Sequence, residues 1–234
     1  MKISHKGFNY SQDGPGNRLV YHLQGCNFAC KWCSNADLIP LTNPDAKDYT
    51  VDEIEGEILS SRMMFFDGGG VTFTGGEATL QADELLVLFK RLKKKGIHTC
   101  IETNGSSERL VSLSEFIDYL IIDLKHFDEA SHRLWTGCSN KATEKNIEYF
   151  LSCGKEIHIR IPLINGVNID PYGFAQYFSA FDTSKADFEF LPYHEFGKDK
   201  WHGNYEINDG FISPKTVEEF ERVFGKYNLR TVKT

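Results

Sequence analysis

The chain has 234 residues, 41% of them hydrophobic and 25% charged, with a net charge of −7. This suffices for one α/β domain with a substantial core, and no stretch approaches the ~18 apolar residues of a membrane span. The acidic balance argues against a nucleic-acid partner, which usually leaves a basic footprint.

In chain order, the N-terminal stretch MKISHKGFNYSQDGPG has no apolar core after its lysines. It does not read as a signal peptide, and a cytoplasmic protein is expected. The first predicted strand covers residues 19–23, between the Asp13-Gly14-Pro15-Gly16 turn and Gly25. Thr50-Val51-Asp52-Glu53 has the form of a capping box, with Ile54, Ile58 and Leu59 on one helical face behind it. The second strand, 71–74, lies between two glycine clusters. Leu85, Leu88, Phe89 and Leu92 then keep a helical period that stops at Gly96. Lys93, Lys94 and Lys95 fall where cations complement a helix C-terminus. Further strands are predicted over 98–103, 119–124, 157–163 and 188–191, with helices over 129–135, 142–152, 171–181 and 214–224. Strand and helix alternate about six times, and several strands are continuously apolar or β-branched, as in a parallel sheet buried on both faces. An α/β barrel or open parallel sheet in a single domain, 1–234, is expected.

Three of the six cysteines lie within eight residues, Cys26-Asn27-Phe28-Ala29-Cys30-Lys31-Trp32-Cys33, just after the first strand. Disulfides are rare in cytosolic chains, so this crowding points to a metal or redox site. Thiolates suit zinc, copper and iron–sulfur clusters. A structural zinc site closes with four ligands, and no second CxxC or CxxH stands nearby. A 4Fe–4S cluster with three protein ligands keeps one iron open. Three cysteines packed on one helix face are the remaining alternative.

CxxxCxxC with an aromatic, Trp32, before the last cysteine resembles the radical S-adenosylmethionine superfamily. The likeness extends over about residues 7–201, through Asp13-Gly14-Pro15-Gly16-Asn17-Arg18, Gly68-Gly69-Gly70-Val71-Thr72, Gly75-Gly76-Glu77-Ala78, Thr103-Asn104-Gly105, Asp123-Leu124-Lys125 and Leu191-Pro192-Tyr193-His194-Glu195-Phe196-Gly197-Lys198. As an ordered set these are similar to the activating enzymes of glycyl radical enzymes, most closely the pyruvate formate-lyase type.

The resemblance implies a partial (β/α)6 TIM-like barrel and a 4Fe–4S cluster on Cys26, Cys30 and Cys33. It also implies S-adenosylmethionine at the open iron, whose reductive cleavage gives methionine and a 5′-deoxyadenosyl radical. That radical takes a Cα hydrogen from a glycine of a partner enzyme. By the same resemblance Trp32, Ser34, Gly76, Glu77, Asp123, Leu124, Lys125, Arg160 and His194 surround the cofactor, Asp13 lies in a loop that helps receive the protein substrate, and the electron comes from flavodoxin or ferredoxin. A monovalent cation is implied near Glu102, Thr103 and Asp123, although the pyruvate formate-lyase type carries Asp where this chain has Glu102. Ser34 likewise stands where that type has His. The cysteine-rich, ferredoxin-like insert of many relatives is missing between residues 34 and 70.

The same residues have plainer readings. Gly75-Gly76-Glu77 can be a β-to-α turn or a place where glycine lets a ligand approach the backbone. Asp123 and Lys125 can form a surface ion pair. Arg160, in an apolar strand, needs either an internal acid or the cofactor carboxylate. Asp13 can serve as a turn former. Cys100, Cys138 and Cys153 read as core residues, and the histidines other than His194 receive no role. A radical enzyme acting on a small molecule or activating anaerobic ribonucleotide reductase is the alternative activity; a non-catalytic metal protein is the alternative class.

Overall fold

The computed structural model describes residues 1–201 and 205–233. It forms two compact units whose segments interleave along the sequence: residues 1–27, 37–103 and 107–121 in one, and 28–36, 104–106 and 122 onward in the other.

In the first unit a hairpin joins β1 (Lys2–Tyr10) to β2 (Asn17–Leu23). Its turn is closed by the Ser11 amide on the Gly16 carbonyl (2.9 Å). Gly14 and Gly16 take φ values of +113° and +67° there, which glycine adopts without the Cβ penalty. The short β3 (Lys47–Asp48) pairs antiparallel with the start of β1. From β2 the sheet continues in parallel through β4 (Gly70–Gly75) and β5 (Thr99–Thr103), with β6 (Tyr119–Asp123) next. α1 (Val51–Ser60) begins on a complete capping box between Thr50 and Glu53. α2 (Ala82–Lys94) buries Leu85, Leu88, Phe89 and Leu92, and α3 (Leu110–Leu113) is a single turn.

The second unit takes in the end of β6 and holds the parallel pair β7 (Ile157–Leu163) and β8 (Ala186–Pro192). Around them are α4 (Glu129–Thr136), α5 (Lys141–Ser152), α6 (Pro171–Phe178) and α7 (Pro214–Lys226). α6 and α7 both carry proline in their first turn, where its missing N–H costs nothing, and both have a side-chain N-cap, Asp170 and Ser213. Phe174, Phe178, Phe188, Phe190, Phe220 and Phe224 form a chain of ring contacts between α6, α7 and β8.

The six predicted strands and six longer helices are all present. β1 and β3 are additions: β3 is an exposed, antiparallel edge strand, β1 pairs antiparallel between it and β2, and neither has an apolar run. Among the described residues no helix is long and apolar enough to cross a membrane.

Candidate active site

In the first unit the candidate residues stand at the C-terminal ends of parallel strands. After β2, Gly25 donates its amide to Leu38 O (2.9 Å) and Cys26 donates to Ile39 O (3.1 Å), so backbone bonds fix the entry to the cysteine loop. After β4, Gly76 donates to Leu23 O (2.9 Å) and Glu77 to Gly25 O (2.8 Å). A Cβ on Gly76 would lie 2.1 Å from Gly25 O, and one on Gly75, at φ +121°, 2.3 Å from Leu23 N. The close approach that requires glycine here comes from the chain's own backbone.

Glu77 is buried, and its Oε1 accepts from Thr79 N (2.9 Å), from the Thr79 hydroxyl and from Thr103 Oγ1 (2.6 Å). Such bonds to one oxygen fix a carboxylate's orientation. Thr103, the last residue of β5, is thereby joined to Glu77, and Glu102 beside it is partly buried.

The Asp13 turn is held from beneath. Thr72 Oγ1 donates to Asp13 O (2.7 Å), and Arg18, wholly buried, donates to Thr72 Oγ1 (2.7 Å), Pro15 O (3.0 Å) and Val71 O (2.7 Å). The Asp13 carboxylate accepts from the Asn9 amide. Burial lowers the Arg18 pKa, and these acceptors satisfy its N–H donors. The two glycine-bearing motifs, around Gly14 and Gly69, are interlocked through Arg18 and Thr72, a role the sequence reading did not give Arg18.

In the second unit Cys30 is buried and Cys33 partly buried, with Cys33 N on Cys30 O (3.0 Å). Ala29 N donates to Thr136 O (2.8 Å) and Lys31 N to Trp135 O (3.0 Å), at the end of α4. Trp32 is buried and its ring meets Trp135 at 6.5 Å. From the other side, Trp201 Nε1 donates to Cys33 O (2.9 Å) and Lys200 Nζ to Asn35 Oδ1 (2.8 Å). A Cβ on Gly197 would sit 2.0 Å from Ser34 O. The segment after His194 thus braces the end of the cysteine loop. His194 itself is exposed and stacks on Phe196, with ring centroids 4.6 Å apart.

Asp123 and Lys125 form a partly buried ion pair (2.7 Å) around the buried Leu124. Burial works against the Lys125 charge, but Asp123, Cys30 and Cys33 outweigh it and raise the lysine pKa. Asp123 Oδ1 is buried with no hydrogen-bond partner, a position that a ligand's N–H or O–H would satisfy. Asn168 donates to Lys125 O (3.0 Å) and holds this turn from behind. Thr143 and Asn146 of α5 do the same for Asn104 O and Gly105 O (2.8 and 2.6 Å).

Arg160 has an internal acid. Its Nε donates to Glu189 Oε2 (2.7 Å), which His158 Nε2 also reaches (2.8 Å), and all three side chains are buried. Burial alone would raise the Glu189 pKa; His158 and Arg160 together bring it below the ordinary carboxylate value.

All six cysteines lie outside disulfides. Among the described residues, no three His, Cys, Asp or Glu side chains are arranged around a single metal ion. A 4Fe–4S cluster places its thiolates on different irons and makes no such demand. In the second unit, the thiols of Cys30 and Cys33, a lysine whose pKa they help to raise and an unpartnered buried carboxylate oxygen fit a cluster with a polar cofactor.

The sequence profile of the radical SAM superfamily matches residues 20–177. The pyruvate formate-lyase 1-activating enzyme of Escherichia coli K12 is 36% identical over 91% of this chain and 89% of its own length. The pyruvate formate-lyase-activating enzyme of Streptococcus mutans is 35% identical over 82% and 76%. A solved domain of pyruvate-formate lyase-activating enzyme from Bacteroides vulgatus superposes with a TM-score of 0.60 at 29% identity, covering 70% of this chain and 98% of that one. A radical SAM methyltransferase from Sphaerobacter thermophilus, 13% identical, reaches a TM-score of 0.69 over 97% of this chain and 72% of its own, and so shares the fold. The open α/β sheet expected from the alternation of elements is therefore that of the radical SAM partial barrel. With a profile match over two thirds of its length and relatives this similar over most of theirs, the chain belongs to the radical SAM superfamily and, within it, to the pyruvate formate-lyase-activating enzyme family.

Proposed function

We propose that this protein activates a glycyl radical enzyme of the pyruvate formate-lyase kind. The observation that carries the reading is the CxxxCxxC loop, braced by backbone bonds, within a chain 36% identical to such an activator over 91% of its length. Cys26, Cys30 and Cys33 would hold a 4Fe–4S cluster. S-adenosylmethionine, bound there, would supply the radical chemistry, reductive cleavage of its sulfonium and abstraction of a glycine Cα hydrogen.

The chain's own residues bind and orient. Trp32, Ser34, Gly76, Glu77, Asp123, Leu124, Lys125, Arg160 and His194 are the proposed cofactor surroundings. Asp123 is best supported, because its Oδ1 is buried and unpartnered. For Arg160 the cofactor contact is proposed in addition to its bond to Glu189. Glu77, fixed by its donors, presents a preoriented carboxylate. Asp13, on a turn held by Thr72 and Arg18, would meet the protein substrate. Glu102, Thr103 and Asp123 offer the oxygen donors that a monovalent cation takes. A flavodoxin or ferredoxin donor, a cytoplasmic location and one catalytic domain over 1–234 complete the reading; the family match, 20–177, runs through segments of both units.

The test is anaerobic. The chain is reconstituted with iron and sulfide, then given dithionite and S-adenosylmethionine, and 5′-deoxyadenosine is quantified. Product is expected from the unaltered chain and none from Cys30→Ala with its circular dichroism retained. Equal product from both would sink the assignment.

A further inference from the structure

Two backbone bonds anchor the middle of the cysteine loop, Ala29 N–H to Thr136 O and Lys31 N–H to Trp135 O. Both acceptors lie in the last turn of α4, where carbonyls have no partner within the helix. Gly137, at φ +80°, ends that helix and puts its own amide on Arg133 O. The chain then turns through Cys138, whose carbonyl points back at His132.

His132 is 1% exposed. Its Nδ1 lies 2.7 Å from Cys138 O and 3.1 Å from Thr136 Oγ1. A carbonyl only accepts, so Nδ1 carries the proton. The Thr136 hydroxyl donates to His132 O (2.8 Å), closing a small network around the turn. The imidazole also meets the Phe28 ring edge-on, with centroids 5.3 Å apart. One side chain therefore touches both the helix end and the loop that the helix end holds. Burial depresses the His132 pKa more than the Cys138 carbonyl raises it, so the ring is neutral and Nε2 is a bare acceptor. Nε2 has no hydrogen-bond partner. A residue placed only to fill this space could be Leu or Phe, with no polar atom left buried and unpaired.

We propose that His132 is a positioning residue for the cluster: its Nδ1–H clamp on Cys138 aims the Trp135 and Thr136 carbonyls, and these set the path of residues 28–33. The proposal rests on the reading of Cys26, Cys30 and Cys33 as cluster ligands.

Three variants separate the clamp from simple packing. His132→Asn keeps an N–H near the position of Nδ1. His132→Gln moves it toward the position of Nε2, and His132→Leu fills the volume with no donor. Amide exchange at Ala29 and Lys31 is followed by NMR in the cluster-free full-length chain, and the reconstituted chain is assayed for iron, sulfide and the spin-resonance signal of the reduced cluster. Exchange about tenfold faster or more is expected in the Leu and Gln variants, together with an altered cluster signal. The Asn variant should stay within about threefold of the unaltered chain. No change in any variant, or the same change in all three, overturns the proposal. If the Leu variant does not fold, the Asn and Gln pair, alike in polarity, decides. If the unaltered chain takes up no cluster, the reading of the cysteines has failed, whereas the exchange pattern still decides whether the clamp exists.

Discussion

At Glu189 a single carboxylate oxygen carries two buried cationic or potentially cationic partners, and the consequence can be measured. Its pKa is depressed in the folded chain. It therefore contributes stability above the ordinary unfolded value of about 4.3, and that contribution is lost as pH falls through the lower folded value. Glu189→Gln leaves Arg160 buried without its counter-charge, at an expected cost of about 3 kcal/mol at pH 7. The deficit should shrink as pH drops below about 4. Urea unfolding at neutral and acid pH checks this, and equal losses at both would contradict the ion-pair account. Asp123 offers a contrast, since one oxygen binds Lys125 and the other has no partner. Asp123→Asn can keep an oxygen toward Lys125, but it puts an NH2 donor where the bare acceptor was. Binding of S-adenosylmethionine to the reconstituted chain, measured by equilibrium dialysis, should weaken by about tenfold or more. Unchanged binding would remove Asp123 from the cofactor site.

At the scale of elements, the cysteine loop is a passive segment held by its neighbours. Within the second unit the end of α4 takes its amides, while Gly197 and Trp201 brace Ser34 and Cys33. Gly197 has an ordinary negative φ of −101°, so the objection to a side chain there is steric. Gly197→Ala would drive a Cβ to 2.0 Å from Ser34 O, and backbone must yield. Iron content after reconstitution should fall below about half of normal, by analogy with other overpacked sites. Trp201→Phe, which loses one hydrogen bond worth about 1 kcal/mol net, should fall less. Iron and sulfide analysis of both variants ranks them, and a reversed order would mean the brace is the indole bond alone.

For the whole molecule, the parallel strands and their helices were legible in the sequence because burial on both faces writes apolar runs, as in Leu120-Ile121-Ile122, and because Thr50 and Glu53 spell out a cap. β1 was not legible: Lys2–Tyr10 mixes Lys, His, Ser and Asn with a few apolar residues and gains its order by pairing with β2. The chemistry-bearing residues could be named from spacing and motif order, but their partners could not. Arg160 could have faced a cofactor or an internal acid, and only the register of β7 on β8 puts Glu189 opposite it. The carbonyls of Trp135 and Thr136 are backbone atoms and leave no trace in residue type, so the support of the cysteine loop was invisible, as was the part played by His132. Gly76 was legible as a glycine, while its reason, the carbonyl of Gly25, was not.

The central claim is radical abstraction from a glycine Cα, and isotope transfer tests it most directly. The reduced, reconstituted chain is given S-adenosylmethionine and a partner enzyme, or its glycine-loop peptide, with deuterium at the glycine Cα. The account predicts 5′-deoxyadenosine carrying one deuterium together with a glycyl radical signal in the partner. Unlabelled 5′-deoxyadenosine, with no radical on the glycine, would contradict it.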